Sequence, residues 1–397
     1  MLNPRDTEDV LGLYVHFPWC VKKCPYCDFN SHTYQGDLPE HDYINQLLAD
    51  LDSDSDFVQG RELASIFIGG GTPSLFSPGS LARLLDETAG RIPFASNIEI
   101  TLEANPSTFE TRKFRQFRAA GINRLSLGIQ SFQQSFLQRL GRVHDDNEAL
   151  AAAGKAREAG FDNFNLDLMF ALPHQSPQQA MADLQTALSL EPAHLSWYQL
   201  TIEPNTVFYR RPPELPADDA IATMQDEGIA LLADHDLVRY EVSAYARPGR
   251  PSRHNLNYWE FGDYLGIGAG AHGKITLPET GSITRTRKIR QPSGYLADGK
   301  NLTAESAPIA VDDLPLEFFM NALRLRDGVQ DSLFAQRTGL SLESIEDSLA
   351  HLRSKGLLRT DRLATTDTGY LFLNDVLGQF LAGTNPKPDH IPLHSET

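Results

Sequence analysis

The three cysteines of this 397-residue chain lie within eight positions of one another. They belong to the segment Cys20-Val-Lys-Lys-Cys24-Pro-Tyr-Cys27, which directly follows a predicted strand. An iron–sulfur cubane normally takes four cysteine thiolates. Because the chain supplies three, one iron of a [4Fe–4S] cluster on Cys20, Cys24 and Cys27 would lack a protein thiolate and could accept a substrate. Such an open iron suits S-adenosylmethionine (SAM), whose amine and carboxylate can chelate it, and we predict both cofactors.

Three clustered thiols could also serve purposes other than binding an iron–sulfur cluster. A zinc site with His16 or His32 as the fourth ligand fits the same spacing, and three buried structural thiols are a further alternative. The Cys24-Pro25 pair is similar to a heme-regulatory motif, although a cysteine that ligates a cluster iron is not free for heme. A disulfide framework is not expected, since the cysteines are odd in number and residues 1–10 lack the basic and apolar regions of a secretory signal.

The charge of the chain restricts its partners. Its formal charge is −17, from 35 basic and 52 acidic residues. Such a field disfavours nucleic acid and anionic membrane surfaces. The densest basic group, which runs from Arg285 to Arg290, is too short to override it. No apolar run approaches the roughly 20 residues that a bilayer crossing requires. We therefore expect a cytoplasmic protein with no nucleic-acid partner.

The cysteine segment belongs to an alternation of strands and helices over some 200 residues. Predicted strands lie at Gly12–Phe17, Ser65–Gly69, Asn97–Glu103, Arg124–Gln130, Asn163–Phe170 and His194–Ile202. Predicted helices lie at Asp42–Leu51, Ser80–Ala89, Thr108–Ala120, Asn147–Ala159 and Pro177–Leu190. This alternation predicts an α/β fold with a parallel sheet, either a barrel or an open sheet, and ligands at the carboxyl ends of its strands.

The pattern loosens after Ile202, where a helix over Asp218–Ala233 and a strand over Val238–Tyr245 are predicted. A boundary is expected near residues 300–310. The helix–turn–helix–hairpin pattern that follows is made of Leu333–Gly339, Leu342–Lys355, Leu357–Thr360 and Leu363–Thr366. Winged-helix modules of this kind often bind DNA, but residues 311–397 carry 8 basic and 13 acidic residues, which favours structural packing or partner docking. We expect domains at 1–300 and 301–384 and a disordered tail at 385–397.

The segment Cys-x₃-Cys-x-aromatic-Cys resembles the signature of the radical SAM superfamily, in which the aromatic, here Tyr26, lies near the adenine. The preceding Tyr14-Val-His-Phe-Pro-Trp-Cys20 is similar to one branch, that of oxygen-independent coproporphyrinogen III oxidase and the HemW heme chaperones. The resemblance runs from about Gly12 through the C-terminal region. It implies a partial (β/α)₆ radical SAM barrel with a small C-terminal α+β winged-helix-like domain. It also implies an electron transfer that cleaves SAM to a 5′-deoxyadenosyl radical.

The resemblance also implies a set of SAM-binding residues. Glycines in Gly69-Gly-Gly-Thr72 allow a close backbone approach, and in this family the segment binds the methionine part of SAM. A polar residue within an apolar strand, such as Asp167, needs a partner, and a ribose hydroxyl is a suitable one. The alternative for each polar position is a local hydrogen bond or salt bridge. The expected SAM residues are Tyr14, Tyr26, Gly70, Gly71, Thr72, Glu103, Gln130, Arg142 and Asp167.

A second glycine motif, Gly268-Ala-Gly270-Ala-His-Gly273, matches G-x-G-x-x-G. A dinucleotide site would require a helix after the motif, whereas residues 274–278 favour an extended segment. We therefore predict a loop packed close to the SAM pocket.

Three features separate the two members of the branch. The oxidase has a fourth cysteine where this chain has Phe29, and a long extension before its signature tyrosine. The segment His254-Asn-Leu-Asn-Tyr-Trp259 is similar to a motif of the heme chaperones. It offers an imidazole for heme iron and aromatics for a porphyrin face.

We therefore expect a heme chaperone that delivers heme to acceptor hemoproteins and has no coproporphyrinogen oxidase activity. His254 is the predicted heme ligand, and membrane contact is expected only where the acceptor is a membrane protein. The alternatives are oxidative decarboxylation of coproporphyrinogen III and a radical SAM reaction on another tetrapyrrole.

Overall fold

The computed structural model describes residues 10–34, 36–297, 299 and 301–381. Its main sheet has twelve strands in the order β14-β13-β12-β11-β1-β4-β5-β6-β7-β8-β10-β9, and β2 and β3 pair separately. The strands are β1 Val10–Phe17, β2 Trp19–Cys20, β3 His32–Thr33, β4 Glu62–Gly70, β5 Phe94–Ala104, β6 Arg124–Gln130, β7 Phe164–Phe170, β8 His194–Gln199, β9 Val238–Arg239, β10 Ala244–Ala246, β11 Tyr264–Ile267, β12 His272–Leu277, β13 Ser282–Lys288 and β14 Thr303–Pro308.

Helices connect most of these strands. They are α1 Glu40–Ser53, α2 Pro78–Ala89, α3 Thr108–Thr111, α4 Phe114–Ala119, α5 Gln134–Arg139, α6 Asp146–Glu158, α7 Pro177–Ser189, α8 Val207–Arg210, α9 Asp218–Ala233, α10 Arg253–Trp259, α11 Pro292–Tyr295, α12 Leu314–Ala322, α13 Asp331–Thr338, α14 Glu346–Ser354, α15 Asp367–Leu371 and α16 Leu373–Gly378. None of the helices within the described ranges combines the length and apolar content needed to cross a bilayer.

The six predicted strands form neighbouring parallel strands, β1, β4, β5, β6, β7 and β8. Their apolar side chains are buried on both faces, as expected for strands covered by helices. The predicted α/β fold with a parallel sheet is therefore confirmed. Parallel order brings the carboxyl ends of these strands to one edge, where ligands of such sheets bind.

The helix predicted over Thr108–Ala120 is interrupted, and this detail was wrong. The structure has α3 and then α4, with Lys113 between them. The Lys113 ammonium donates hydrogen bonds to the carbonyl oxygens of Ser74 and Leu75 at 3.0 and 2.9 Å. The Glu110 carboxylate is buried and accepts the backbone N–H of Asn105 at 2.8 Å. These tertiary contacts fix the chain where the 3.6-residue period alone predicts one helix.

The strand predicted over Val238–Tyr245 is likewise two short strands, β9 and β10, joined by a turn. In the turn, the Glu241 carboxylate accepts the backbone N–H of Ser243 at 3.1 Å and the guanidinium of Arg324 at 3.2 Å. A buried carboxylate that captures its own backbone closes the chain into a turn. β10 then pairs antiparallel with β8.

The C-terminal region has its own apolar cluster, in which Phe318, Phe319 and Phe334 pack together. α13 and α14 stand where the helix–turn–helix pattern predicts them, and an antiparallel bridge joins Leu358 to Thr365 in the predicted hairpin. The cluster also includes Phe261 and Ile283, and β14 belongs to the main sheet, so the two parts of the chain are packed against each other. The predicted tail at 385–397 lies outside the described residues.

Candidate functional site

The cysteine loop begins where β1 ends. Its two arms are joined by the short β2–β3 ladder, in which Cys20 lies opposite Thr33. The Lys23 ammonium closes the loop by donating hydrogen bonds to the carbonyl oxygens of Phe29 and Ser31 at 3.0 and 3.1 Å. Backbone pairing and one lysine therefore hold the three thiols at the edge of the sheet where the other strand ends meet.

The thiols are half-buried to buried. Burial raises the pKa of Cys20 and Cys27 above the ordinary value of 9.0. The Cys24 sulfur lies 3.8 Å from the Arg142 guanidinium, which donates a hydrogen bond to it. No group of three or more His, Cys, Asp or Glu side chains is arranged for a metal ion in the part of the chain that the structure describes. Binding a cluster would thus require the thiols to lose their protons and draw together.

His16 and His32, the two alternative zinc ligands, form hydrogen bonds with other residues. Both ring nitrogens of His16 are used, since they lie 2.9 Å from the Tyr14 hydroxyl and from the Asn30 carbonyl oxygen. The Nε2 of His32 lies 3.2 Å from the Asn30 side-chain oxygen. The geometry therefore does not favour either histidine as a fourth ligand beside the cysteines.

The glycines at the end of β4 are required because the backbone there lies very close to β1 and to the residues that follow it. A Cβ on Gly70, whose φ is +115°, would lie 2.5 Å from the His16 ring, and a Cβ on Gly71 would lie 2.5 Å from the Trp19 carbonyl oxygen. The N–H groups of Gly71 and Thr72 donate to the carbonyl oxygens of Phe17 and Trp19 at 2.6 and 2.7 Å. A side chain at Gly70 would therefore disturb the protein itself as well as a bound ligand.

A cavity of about 340 Å³ opens at the carboxyl ends of the parallel strands. Eleven of the thirteen predicted site residues line it, namely Cys20, Cys24, Tyr26, Cys27, Gly70, Gly71, Thr72, Glu103, Gln130, Arg142 and Asp167. The fold thus brings residues from six separate segments of the chain to one place. The two exceptions are Tyr14 and His254.

Two partly buried carboxylates, Glu103 and Asp167, line this cavity. Burial and the nearby Asp167 carboxylate raise the pKa of Glu103 to about 8, although the Gly70 N–H donates to it at 2.9 Å. Asp167 accepts hydrogen bonds from Ser126 and Asn165, both at 2.8 Å, and burial still raises its pKa. Neither carboxylate forms an ion pair with any residue in the described ranges. Such a site favours a cationic ligand that also carries hydroxyl groups.

Gln130 and Arg142 are held tightly beside the carboxylates. Gln130 has a φ of +68°, which is rare for a residue with a side chain and typical of functional sites, and its Oε1 accepts the Tyr198 hydroxyl at 2.9 Å. Arg142 donates to Asn105 at 2.6 Å and to the Gly128 carbonyl oxygen at 2.7 Å. Its Nε is buried without a hydrogen-bond partner in the described residues, as expected for a group that awaits a ligand.

Sequence reasoning missed six polar residues of the cavity wall, namely Lys22, Ser31, Asn105, Ser126, Ser196 and Tyr198. The last four lie in or just after strands of the parallel sheet. The available signal was their position, because polar side chains near the carboxyl ends of parallel strands are candidates for ligand contact.

A second cavity, of about 650 Å³, adjoins the first and shares Phe29, Gly70 and Glu103 with it. Tyr14 lines this second cavity and not the first, so among the expected SAM residues it meets only Gly70 and Glu103, which line both. The remaining wall is formed by His16, Asn30, Tyr258, Tyr264, Gly270, His272, Arg287 and Arg290. The G-x-G-x-x-G loop thus lines the cavity that adjoins the first one, and a strand, β12, begins within the motif in place of a helix.

His254 lies behind the wall of the second cavity, on α10. It is buried, and its Nδ1 and Nε2 lie 2.8 Å from the Ser65 and Tyr258 hydroxyls respectively. Burial, with a smaller effect of Arg124, lowers its pKa to about 3, so the imidazole is neutral. A neutral imidazole is the form that binds iron, but Tyr258 has to release Nε2 first.

The class of protein is defined by this arrangement of a three-cysteine loop above a parallel βα sheet. Residues 14–187 match the family model of the radical SAM superfamily, and residues 309–372 match the HemN C-terminal domain. The fold is similar to that of coproporphyrinogen III oxidase (HemN) from Escherichia coli, with a TM-score of 0.79, 23% identity, and coverage of 94% of this chain and 90% of that one.

The relatives define the family more narrowly. The chain is 50% identical to heme chaperone HemW of Escherichia coli K12, over 94% of this chain and 98% of that protein. It is 51% identical to heme chaperone HemW of Haemophilus influenzae, with the same coverage, and 36% identical to that of Bacillus subtilis, over 93% and 98%. The chain belongs to the HemW heme chaperone family.

Proposed function

We propose that this protein is a cytoplasmic heme chaperone, which binds heme and passes it to acceptor hemoproteins. The observation that carries the proposal is its similarity, at half identity over nearly the whole chain, to proteins named heme chaperone HemW. Further support comes from Phe29, which replaces the fourth cysteine of the oxidase-type motif and is 61% exposed between the two cavities.

Cys20, Cys24 and Cys27 are the proposed ligands of a [4Fe–4S] cluster. When bound, such a cluster supplies an iron without a protein thiolate and an electron for SAM. Arg142 lies against Cys24 and places a positive charge beside the proposed cluster. Lys22 lines the same cavity and adds a second positive charge in an otherwise acidic chain.

The proposed SAM site uses the polar residues of the first cavity. Glu103 in its ionised form would pair with a positive group of SAM, and Asp167 would accept a ribose hydroxyl. Gly70, Gly71 and Thr72 form the backbone wall next to the cysteine loop, and Tyr26 is the proposed neighbour of the adenine. Gln130 and Arg142 complete the set in the first cavity. Tyr14, which the resemblance also assigns to SAM, lines the adjoining cavity.

His254 is proposed as the heme ligand on the strength of its motif. Its burial means that heme would reach it only after Tyr258 turns away from Nε2. Because Tyr258 lines the second cavity, this movement would open a path from that cavity to the imidazole. His272, an exposed residue of the same cavity, is the next candidate.

Decarboxylation and heme binding are compared on one sample to test the function. The protein is reconstituted anaerobically with iron and sulfide, divided, titrated with heme, and assayed with coproporphyrinogen III and SAM. We expect one heme per chain, seen as a Soret band, and no decarboxylation. Transfer of that heme to an apo-hemoprotein would complete the evidence. Catalytic decarboxylation by the same sample would instead identify an oxidase.

A further inference from the structure

The second cavity has the size and the aromatic lining of a site for a flat aromatic ligand. Its volume of about 650 Å³ lies within the range of about 300–1,000 Å³ found for cofactor sites. Aromatic side chains from four places in the sequence line it, Tyr14, Phe29, Tyr258 and Tyr264. Tyr258 and Tyr264 pack edge to face, with ring centroids 4.5 Å apart, which leaves a rigid aromatic wall.

The charged residues at this cavity are mostly basic, although the chain as a whole is acidic. Of the four basic residues between Arg285 and Arg290, two are neutralised. Lys288 is fully buried between Asp50 and Asp54, at 2.7 and 2.8 Å, and Arg285 pairs with Glu317. The other two basic residues, Arg287 and Arg290, are exposed at the cavity.

Arg287 and Arg290 line the cavity and present their guanidinium groups to solvent. The Arg290 guanidinium donates to the amide oxygen of Asn30 at 3.2 Å and forms no ion pair with a carboxylate in the described part of the chain. Arg287 pairs with Glu305 at 2.8 Å, but both side chains are about half exposed. Two available guanidiniums beside an aromatic wall match a planar ligand that carries two carboxylates.

We propose that the second cavity is where heme binds, with Arg287 and Arg290 holding its two propionates. The assignment rests on the proposed function, since it places the cargo of the chaperone. It agrees with the His254 proposal, because Tyr258 both lines this cavity and contacts the His254 imidazole. A heme in the cavity would therefore lie next to His254 once Tyr258 turns away. Glu305 competes with a propionate for Arg287 and therefore weakens binding.

The test compares heme with heme dimethyl ester, which keeps the macrocycle and iron but lacks the propionate charges. Both are titrated, in the same mild detergent, into the reconstituted full chain and into Arg287→Ala/Arg290→Ala. We expect the double variant to lose about tenfold or more in affinity for heme, because two charge-assisted hydrogen bonds are removed, and to bind the ester as the wild type does. Glu305→Gln should bind heme more tightly than the wild type, by about two- to threefold.

The control is Arg250→Ala/Arg359→Ala, which removes two exposed arginines that do not line the cavity. It has the same charge change and should bind heme normally. SAM affinity and melting temperature show whether each variant is folded.

Two results would overturn the placement while the chaperone function stands: unchanged heme affinity in the Arg287→Ala/Arg290→Ala variant, or an equal loss for heme and its ester. A wild-type protein that takes up no heme would refute the proposed function itself, and this inference with it.

Discussion

Replacement of Glu103 by glutamine separates the cost of this residue to folding from its benefit to binding. Burial and Asp167 raise its pKa from 4.5 to about 8. A carboxyl with a raised pKa binds its proton more tightly in the folded state, so folding becomes less favourable as the pH rises from the unfolded value to the folded value. The penalty is absent below pH 4.5 and complete above pH 8.

The magnitude follows from the difference between the two pKa values. At about 1.4 kcal/mol for each pH unit, the full penalty is about 5 kcal/mol, and it is about 3 kcal/mol at pH 6.5. Glu103→Gln removes the charge but keeps an oxygen for the Gly70 N–H. The apo variant should therefore be more stable than the wild type, and its advantage should grow by about 2 kcal/mol between pH 6.5 and pH 9.

Anaerobic urea unfolding of the apo proteins at the two pH values measures this gain. SAM affinity should fall by about tenfold or more in the variant, because a buried charge pair is lost. The wild type should also bind SAM more tightly as the pH rises toward 8, whereas the variant should show only the titration of SAM itself. Glu62→Gln, at the exposed start of β4, is the matched control and should change neither property.

Two results would refute this reasoning. A stability difference that does not depend on pH would show that Glu103 is already ionised in the folded protein at pH 6.5. Unchanged SAM affinity would show that the carboxylate does not face the ligand, whatever its pKa.

Cys24→Ser should abolish the brown chromophore and the roughly four irons per chain of an anaerobic preparation, with the circular dichroism spectrum unchanged; stoichiometric zinc without iron in the wild type would exclude a cluster. Lys288→Met leaves Asp50 and Asp54 buried without their partner, and should cost about 3–5 kcal/mol in urea unfolding; a loss below about 1 kcal/mol would contradict the importance of this pair. His254→Ala should weaken heme binding and shift the Soret band, whereas Tyr258→Phe, which frees Nε2 and keeps the imidazole, should bind heme at least as well as the wild type. Equal melting-temperature losses in both variants with normal heme binding would make His254 a structural residue.

Local sequence patterns were sufficient for the six parallel strands of the sheet, whereas β11, β13 and β14 were not predicted. The strand Arg124–Gln130 was predicted with the observed bounds, and α9 likewise, because runs of apolar residues and helical periodicity depend on neighbours in the sequence. The patterns failed near Lys113 and Glu241, where side chains bind backbone groups that are distant in sequence or across a turn. Such contacts have no periodic signal, so they could not be predicted from the sequence.

In the candidate site, too, some features could be predicted from the sequence and others depended on tertiary contacts. The types and spacing of Cys20, Cys24 and Cys27 determined the expected chemistry, because a three-thiolate loop has few other uses. The order of strands and helices determined that polar residues at strand ends would meet at one edge, as Glu103 and Asp167 do. These conclusions required only the sequence.

The tertiary structure decided which residues share a cavity and which are hidden. It placed Tyr14 in the second cavity, buried His254 between Ser65 and Tyr258, and left Arg287 and Arg290 exposed while Lys288 was buried. Burial and side-chain contacts depend on segments that lie up to 260 positions apart, such as Asn30 and Arg290. The sequence names the chemical groups, but only the packing of distant segments determines which of them are free to bind a ligand.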